Sequence, residues 1–155
     1  MRGFDEKGLN LANAQASLFH DSVEMFDGSS KVFIRCFMNS DQCSMIDRFL
    51  LFDRAEIISE LNEKYELDRG KKKYEPEIMN WMGYLYRYWS YTYELPSRTI
   101  YKMILPEELY GLYYSYHSLD PKTAIERIYD AKALPKKEEA TIVMERIFHY
   151  GERFK

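Results

Sequence analysis

From residue 78 to 95 the apolar and polar positions of this chain fall into three stripes on a helical period. Ile78, Met82, Leu85, Trp89 and Tyr93 form a long apolar stripe suited to a core. Trp81, Tyr84, Tyr88 and Tyr91 form a second stripe, and Asn80, Gly83, Arg87, Ser90 and Glu94 a third that is polar or small. The third stripe suits water or a closely packed neighbour. Glu75-Pro76-Glu77 supplies the start, because proline is preset for a first helical turn and carboxylates favour the positive end of the helix dipole. A central aromatic helix over about 76–93 is the clearest element the sequence predicts.

Shorter patterns flank it. Residues 1–28 carry Leu9, Leu11, Leu18, Phe19, Val23 and Met25 and predict a partial helix or docking arm that ends at Asp27-Gly28. Ser29 or Ser30 can cap a helix carrying Phe33, Ile34, Phe37 and Met38, with a strand through Val32-Phe33-Ile34 as the competing reading. Asn39 or Ser40 can cap the next segment, with Cys43, Met45, Ile46, Phe49 and Leu50. Asp53 can cap another, with Ile57, Ile58 and Leu61 on one side and Glu60 to Lys64 as a favourable pair one turn apart. Residues 65–73, with Gly70 and three consecutive lysines, read as a solvated loop.

Beyond the central helix, Leu95-Pro96-Ser97 makes a turn, and Ser97 can cap a short helix running through Ile104. Pro106-Glu107-Glu108 opens a helix expected to end near His117, and Asp120-Pro121 repeats that start signal ahead of Ala124, Ile125 and Ile128. The segment 135–150, with Ile142, Val143, Ile147 and Phe148, predicts a last helix stopped by Gly151. No internal repeat, long linker or sustained heptad interrupts this order. The expectation is an all-α, compact bundle of about six to eight helices joined by short turns. It forms one helical domain over 1–155: an N-terminal arm or helix to 28, a core from 29 to 130, and a C-terminal helical appendage from 131.

Composition narrows the function classes. The chain has 155 residues, 46% of them hydrophobic and 30% charged, enough to bury a core and too apolar for a disordered chain. A formal net charge of −3 supplies no global field for nucleic acid or an acidic membrane. No window is apolar enough to span a membrane, and the N-terminus lacks the order of a signal peptide, so the expected location is the cytoplasm. Cys36 and Cys43 lie seven residues apart and read as reduced, buried, structural thiols.

No phosphate loop, dinucleotide fingerprint or zinc-binding helix motif is present, and His20, His117 and His149 lack metal-type spacing. Carboxylates cluster at predicted helix starts, where the helix dipole accounts for them. His117 closes the run Tyr113-Tyr114-Ser115-Tyr116-His117, where an imidazole reads as a helix C-terminal cap ahead of a catalytic base. The expectation is a protein without enzymatic activity, cofactor or metal.

The unusual quantity is the aromatic share, 16%, with 14 tyrosines. Tyrosine joins a broad apolar ring to a polar tip, so it suits both core edges and recognition surfaces. The second stripe is therefore either a central helix's other packed side or an exposed partner-binding surface built from Trp81, Tyr84, Tyr88 and Tyr91. In that surface Arg87 stands among the tyrosines, and Tyr110, Tyr113, Tyr114, Tyr116 and His117 extend it from a neighbouring helix. A rival reading is DNA binding, since residues 91–104 have the outline of a helix-turn-helix, with Arg98, Thr99, Tyr101 and Lys102 on its second helix. Proline in the turn, a short second helix and non-basic surroundings weigh against it. A third reading is a homo-oligomeric structural protein whose tyrosines bury one another.

The segments Phe33-Ile34-Arg35-Cys36-Phe37-Met38-Asn39-Ser40, Trp81-Met82-Gly83-Tyr84-Leu85-Tyr86-Arg87-Tyr88-Trp89 and Leu112-Tyr113-Tyr114-Ser115-Tyr116-His117-Ser118-Leu119 carry a resemblance. Across about residues 30–130 the chain resembles uncharacterised small helical proteins of bacterial toxin-antitoxin neighbourhoods. Its layout is similar to that of presumed antitoxins encoded beside ADP-ribosyltransferase-like toxins. That resemblance implies a partner, a toxin enzyme encoded nearby, and neutralisation by complex formation. It assigns no functional residue.

Overall fold

The structure is a computed structural model that describes residues 1–64 and 71–135. Within them the chain is all α-helical, with no strand. The helices are α1 (Glu6–Met25), α2 (Ser30–Met38), α3 (Asp41–Asp47), α4 (Arg54–Lys64), α5 (Pro76–Tyr93), α6 (Ser97–Met103), α7 (Pro106–Gly111), α8 (Tyr113–Tyr116) and α9 (Pro121–Lys132). Nine helices among the described residues exceed the expected six to eight because the helix expected over 106–117 is broken at Leu112. Most of the expected loop over 65–73 and nearly all of the helix expected over 135–150 lie outside the described residues.

Local chemistry sets most boundaries. The side chains of Asp5, Ser29, Ser40 and Asp120 accept hydrogen bonds from the backbone N–H groups of Gly8, Val32, Cys43 and Thr123, capping α1, α2, α3 and α9. Asp53 does the same for the first turn of α4, accepting from Glu56 N–H at 3.1 Å. The Val32-Phe33-Ile34 run is helical: with Ser29 capping it, Phe33 and Phe37 lie on one face. Ser97 does not cap α6, because Pro96 takes the N-cap position and the serine hydroxyl turns inward to Asp47. Glu94 and Ala133 end α5 and α9 in the left-handed region, at φ 55° and 51°.

α5 is the axis of the fold. Its first stripe is the core itself, with Ile78, Met82, Leu85, Trp89 and Tyr93 each at most 5% exposed. Phe19, Phe26, Phe33 and Phe37 meet edge-on or stacked on one side, and Trp89, Tyr93 and Tyr129 of α9 cluster on another. The N-terminal segment is no loose arm: α1 lies along α5 over its length, with Leu11, Leu18 and Phe19 buried. Two glycines permit the approach. A β-carbon at Gly83 would lie 2.7 Å from Gln15 O and from the Phe19 ring, and one at Gly8 would lie 2.6 Å from the Tyr91 ring.

Candidate functional site

The middle of the third stripe, Gly83, Arg87 and Ser90, is buried against α1 and α3, while Asn80 and Glu94 at its ends are exposed, and this settles the place of Arg87. Its side chain is buried, 2% exposed, so it is not part of a surface patch as the sequence suggested. The guanidinium donates to Gln15 Oε1 at 2.8 Å, Asp47 Oδ1 at 2.6 Å, Ser97 Oγ at 3.2 Å and Cys43 Sγ at 3.4 Å. Asp47 also accepts from the Ser97 N–H at 2.9 Å and hydroxyl at 2.6 Å, while Gln15 donates to Gly83 O at 3.1 Å. One cation thus ties α1, α3, α5 and α6 together. No buried side-chain nitrogen or oxygen is left without a partner among the described residues, which marks the cluster as structural. Burial pushes the Cys43 thiol up to about 11, and the Cys36 thiol is raised by the same cause.

The second stripe divides along its length. Tyr91 is buried, 4% exposed, and its hydroxyl donates to Asp5 Oδ1 at 2.6 Å, pinning the start of α1. It therefore leaves the proposed surface. Trp81, Tyr84 and Tyr88 are half-buried. Phe4 packs on Tyr88 with ring centroids 4.4 Å apart and meets Tyr84 at 6.2 Å. Trp81 meets Tyr113 of α8 edge-on at 5.6 Å, and Tyr113 in turn stacks on His117 at 4.3 Å. Tyr116 is half-buried, while Tyr114 is 79% exposed and touches Tyr113.

Two ring groups, one of Phe4 with Tyr84 and Tyr88 and one of Trp81 with Tyr113, Tyr114 and His117, are joined into a band by the α5 stripe that carries Trp81, Tyr84 and Tyr88, and α8 also carries Tyr116. Phe4 belongs to it and was not singled out from sequence, whereas Tyr110, expected in the patch, stacks on Tyr74 at 4.0 Å instead. Phe4 lies in the expected arm, ahead of the apolar residues from Leu9 onward that marked it. Within the described residues no hydrogen bond engages the hydroxyls of Tyr84, Tyr88, Tyr113 or Tyr116, or the indole N–H of Trp81. The contrast is with Tyr86 and Tyr110, whose hydroxyls donate to Ile104 O at 2.9 Å and Glu75 Oε2 at 2.6 Å. Partial burial raises Tyr84 and Tyr88 above the ordinary phenol value, with Asp120 and Glu126 adding to the shift at Tyr88. The band thus presents neutral, donating phenols on an apolar bed.

His117 follows α8, and its Nδ1 lies 2.7 Å from Tyr113 O, so that nitrogen carries the hydrogen and donates. None of the three described cavities is lined by His117. The α5–α6 corner brings the residues of the DNA-binding reading onto a helix of seven residues. Ser97 and Ile100 of that helix are buried, Thr99 and Tyr101 half-buried, and Arg98 and Lys102 exposed. Arg98 is engaged by Asn39 O at 3.1 Å and Asp41 at 3.4 Å, so its charge is shared with an acid before any phosphate arrives.

Among the described residues no three His, Cys, Asp or Glu side chains are placed to hold a metal, and no helix is long and apolar enough to cross a membrane. No family model matches the chain, and no curated protein or solved structure matches it.

Proposed function

We propose that this chain is a cytoplasmic, non-enzymatic protein-binding protein, an antitoxin or comparable inhibitor that neutralises a partner enzyme by direct complex formation. The observation that carries this reading is the half-exposed aromatic band of Trp81, Tyr84, Tyr88, Tyr113 and Tyr116, with phenols free of hydrogen bonds to the described residues. Rings of this kind dominate the energetic centre of protein interfaces, because they bury large apolar area at low entropic cost and still donate hydrogen bonds. His117 and Tyr114 stand at the rim. Arg87 and Tyr91 support the band from inside, by holding α5 against α1 and α3.

The test is co-expression with the product of the neighbouring gene. The proposal expects rescue of growth from that product's toxicity and a complex that co-purifies without turnover. Trp81 is half-buried and Trp89 fully buried, so complex formation should shift tryptophan emission, and the shift should vanish in Trp81→Phe. Absence of both rescue and complex overturns the reading. Salt-sensitive retention on DNA that is lost in Arg98→Ala would replace it with the regulator reading.

A further inference from the structure

A second surface stands apart from the aromatic band and shares no residue with it. Between α3 and α4 lies an open groove of about 350 Å3 with Ile46 and Ile57 buried in its floor. Met45, Leu51 and Phe52 line its walls, and Leu51 is 95% exposed, the most exposed large hydrophobic residue described. Every charged residue lining the groove is a carboxylate: Asp53, Glu56, Glu60 and Asp41, the last of which also meets Arg98 at 3.4 Å.

The backbone explains why Leu51 is outside. α3 ends with Phe49 in the left-handed region at φ 68°, its N–H donating to Ile46 O and that of Leu50 to Met45 O. This is the bonding pattern of a helix stop that usually employs glycine; a side chain there costs about 1 kcal/mol. The conformation takes the Phe49 ring inward to Arg2 and Tyr91 and sends the next two residues along the surface. A leucine left in water forfeits the free energy its burial would release.

We propose that this groove docks a basic amphipathic helix of a protein partner, with its apolar side chains against Leu51, Met45 and Phe52 and its lysines or arginines toward the four carboxylates. Charge complementarity selects that occupant. A second copy placed face to face would set carboxylates against carboxylates, and nucleic acid or an anionic membrane would be repelled by the same rim. The carboxylates are not placed to hold a metal ion among the described residues.

The experiment uses the full chain and a short fluorescein-labelled helical peptide with leucines at i, i+3, i+4 and i+7 and lysines elsewhere. A matched peptide has glutamate in place of each lysine. Anisotropy should show binding of the lysine peptide only, weakening from low to high salt. Leu51→Ser should raise its Kd roughly tenfold or more, and Glu60→Lys about threefold. Amide resonances that shift on titration should cluster in residues 41–60. Equal binding of both peptides, an unchanged Kd in Leu51→Ser, or shifts confined elsewhere overturns the proposal. A dimer of the free protein in sedimentation equilibrium, dissociated by Leu51→Ser, would give the groove to a second copy and overturn it as well.

Discussion

Removing Asp47 should damage this fold more than removing the arginine it holds. Asp47→Ala deletes the acceptor of four contacts, from Arg87 at 2.6 Å, from the Ser97 hydroxyl and N–H at 2.6 and 2.9 Å and from the Ser90 hydroxyl at 3.4 Å. It strands a guanidinium whose side chain is only 2% exposed. A buried charge deprived of its partner costs about 3–5 kcal/mol. Asp47 also lines an open cavity of about 420 Å3, through which water would reach the vacated site, so the lower end of that range, about 3 kcal/mol, is expected. Arg87→Met leaves a carboxylate that keeps both contacts from Ser97 and is 16% exposed to that cavity. Its main penalty is the unpaired oxygen of Gln15, about 1–2 kcal/mol.

Urea unfolding followed by circular dichroism should therefore rank Asp47→Ala well below Arg87→Met. In a chain of this size about 3 kcal/mol lowers the melting temperature by roughly 6–12 °C. The double variant should cost less than the sum of the two, because the stranded charge is gone. If Arg87→Met is as destabilising as Asp47→Ala, or the two effects add, the stranded-charge argument is wrong. The pair also separates scaffold from interface: Arg87→Met should weaken the free protein and leave partner affinity unchanged once folded.

Gly83→Ala should lower stability by about 1–3 kcal/mol in thermal melts despite the better helix propensity of alanine, because its β-carbon meets the Gln15 backbone; a neutral or stabilising result would contradict the close helix contact. Asp5, Glu75, Glu107, Glu108 and Asp120 all sit below the ordinary carboxylate values, held there by hydrogen bonds. Lowered folded values contribute stability that is present above the unfolded pKa and lost as pH falls through the folded one. The urea midpoint should thus decline below about pH 4.5, and Asp5→Asn should flatten that acid limb; an identical limb would count against the Asp5–Tyr91 bond. Cys36 and Cys43 are buried with raised pKa values, so iodoacetamide at pH 8 should modify neither until urea unfolds the chain.

Much of the fold could be read from local signals, and the exceptions share a cause. Pro76, the caps at Ser29, Ser40, Asp53 and Asp120, and the apolar stripe of α5 act within a few residues, so their patterns survive in the sequence. Arg87 was misplaced because its partners, Gln15 and Asp47, stand 72 and 40 residues away. The available hint was Gly83 on the same stripe, since a helix with a glycine and a serine beside an arginine invites a close neighbour. Tyr91 went inward for a similar reason, its hydroxyl reaching Asp5 across 86 residues. Ser97 satisfied the rule for a cap but was claimed by Asp47, and Phe49 and Leu50 left the helix expected over them when the chain turned at Phe49.

The central claim is that the aromatic band binds a protein partner. Tyr84→Ala/Tyr114→Ala tests it most directly, since Tyr84 is half-buried and Tyr114 is 79% exposed. The measurement is calorimetric titration of this variant and of the wild type against the neighbouring gene product. The account predicts that affinity falls by about thirtyfold or more, near 2 kcal/mol, while the variant still unfolds cooperatively near the wild-type temperature. Wild-type affinity retained by the folded variant would contradict it.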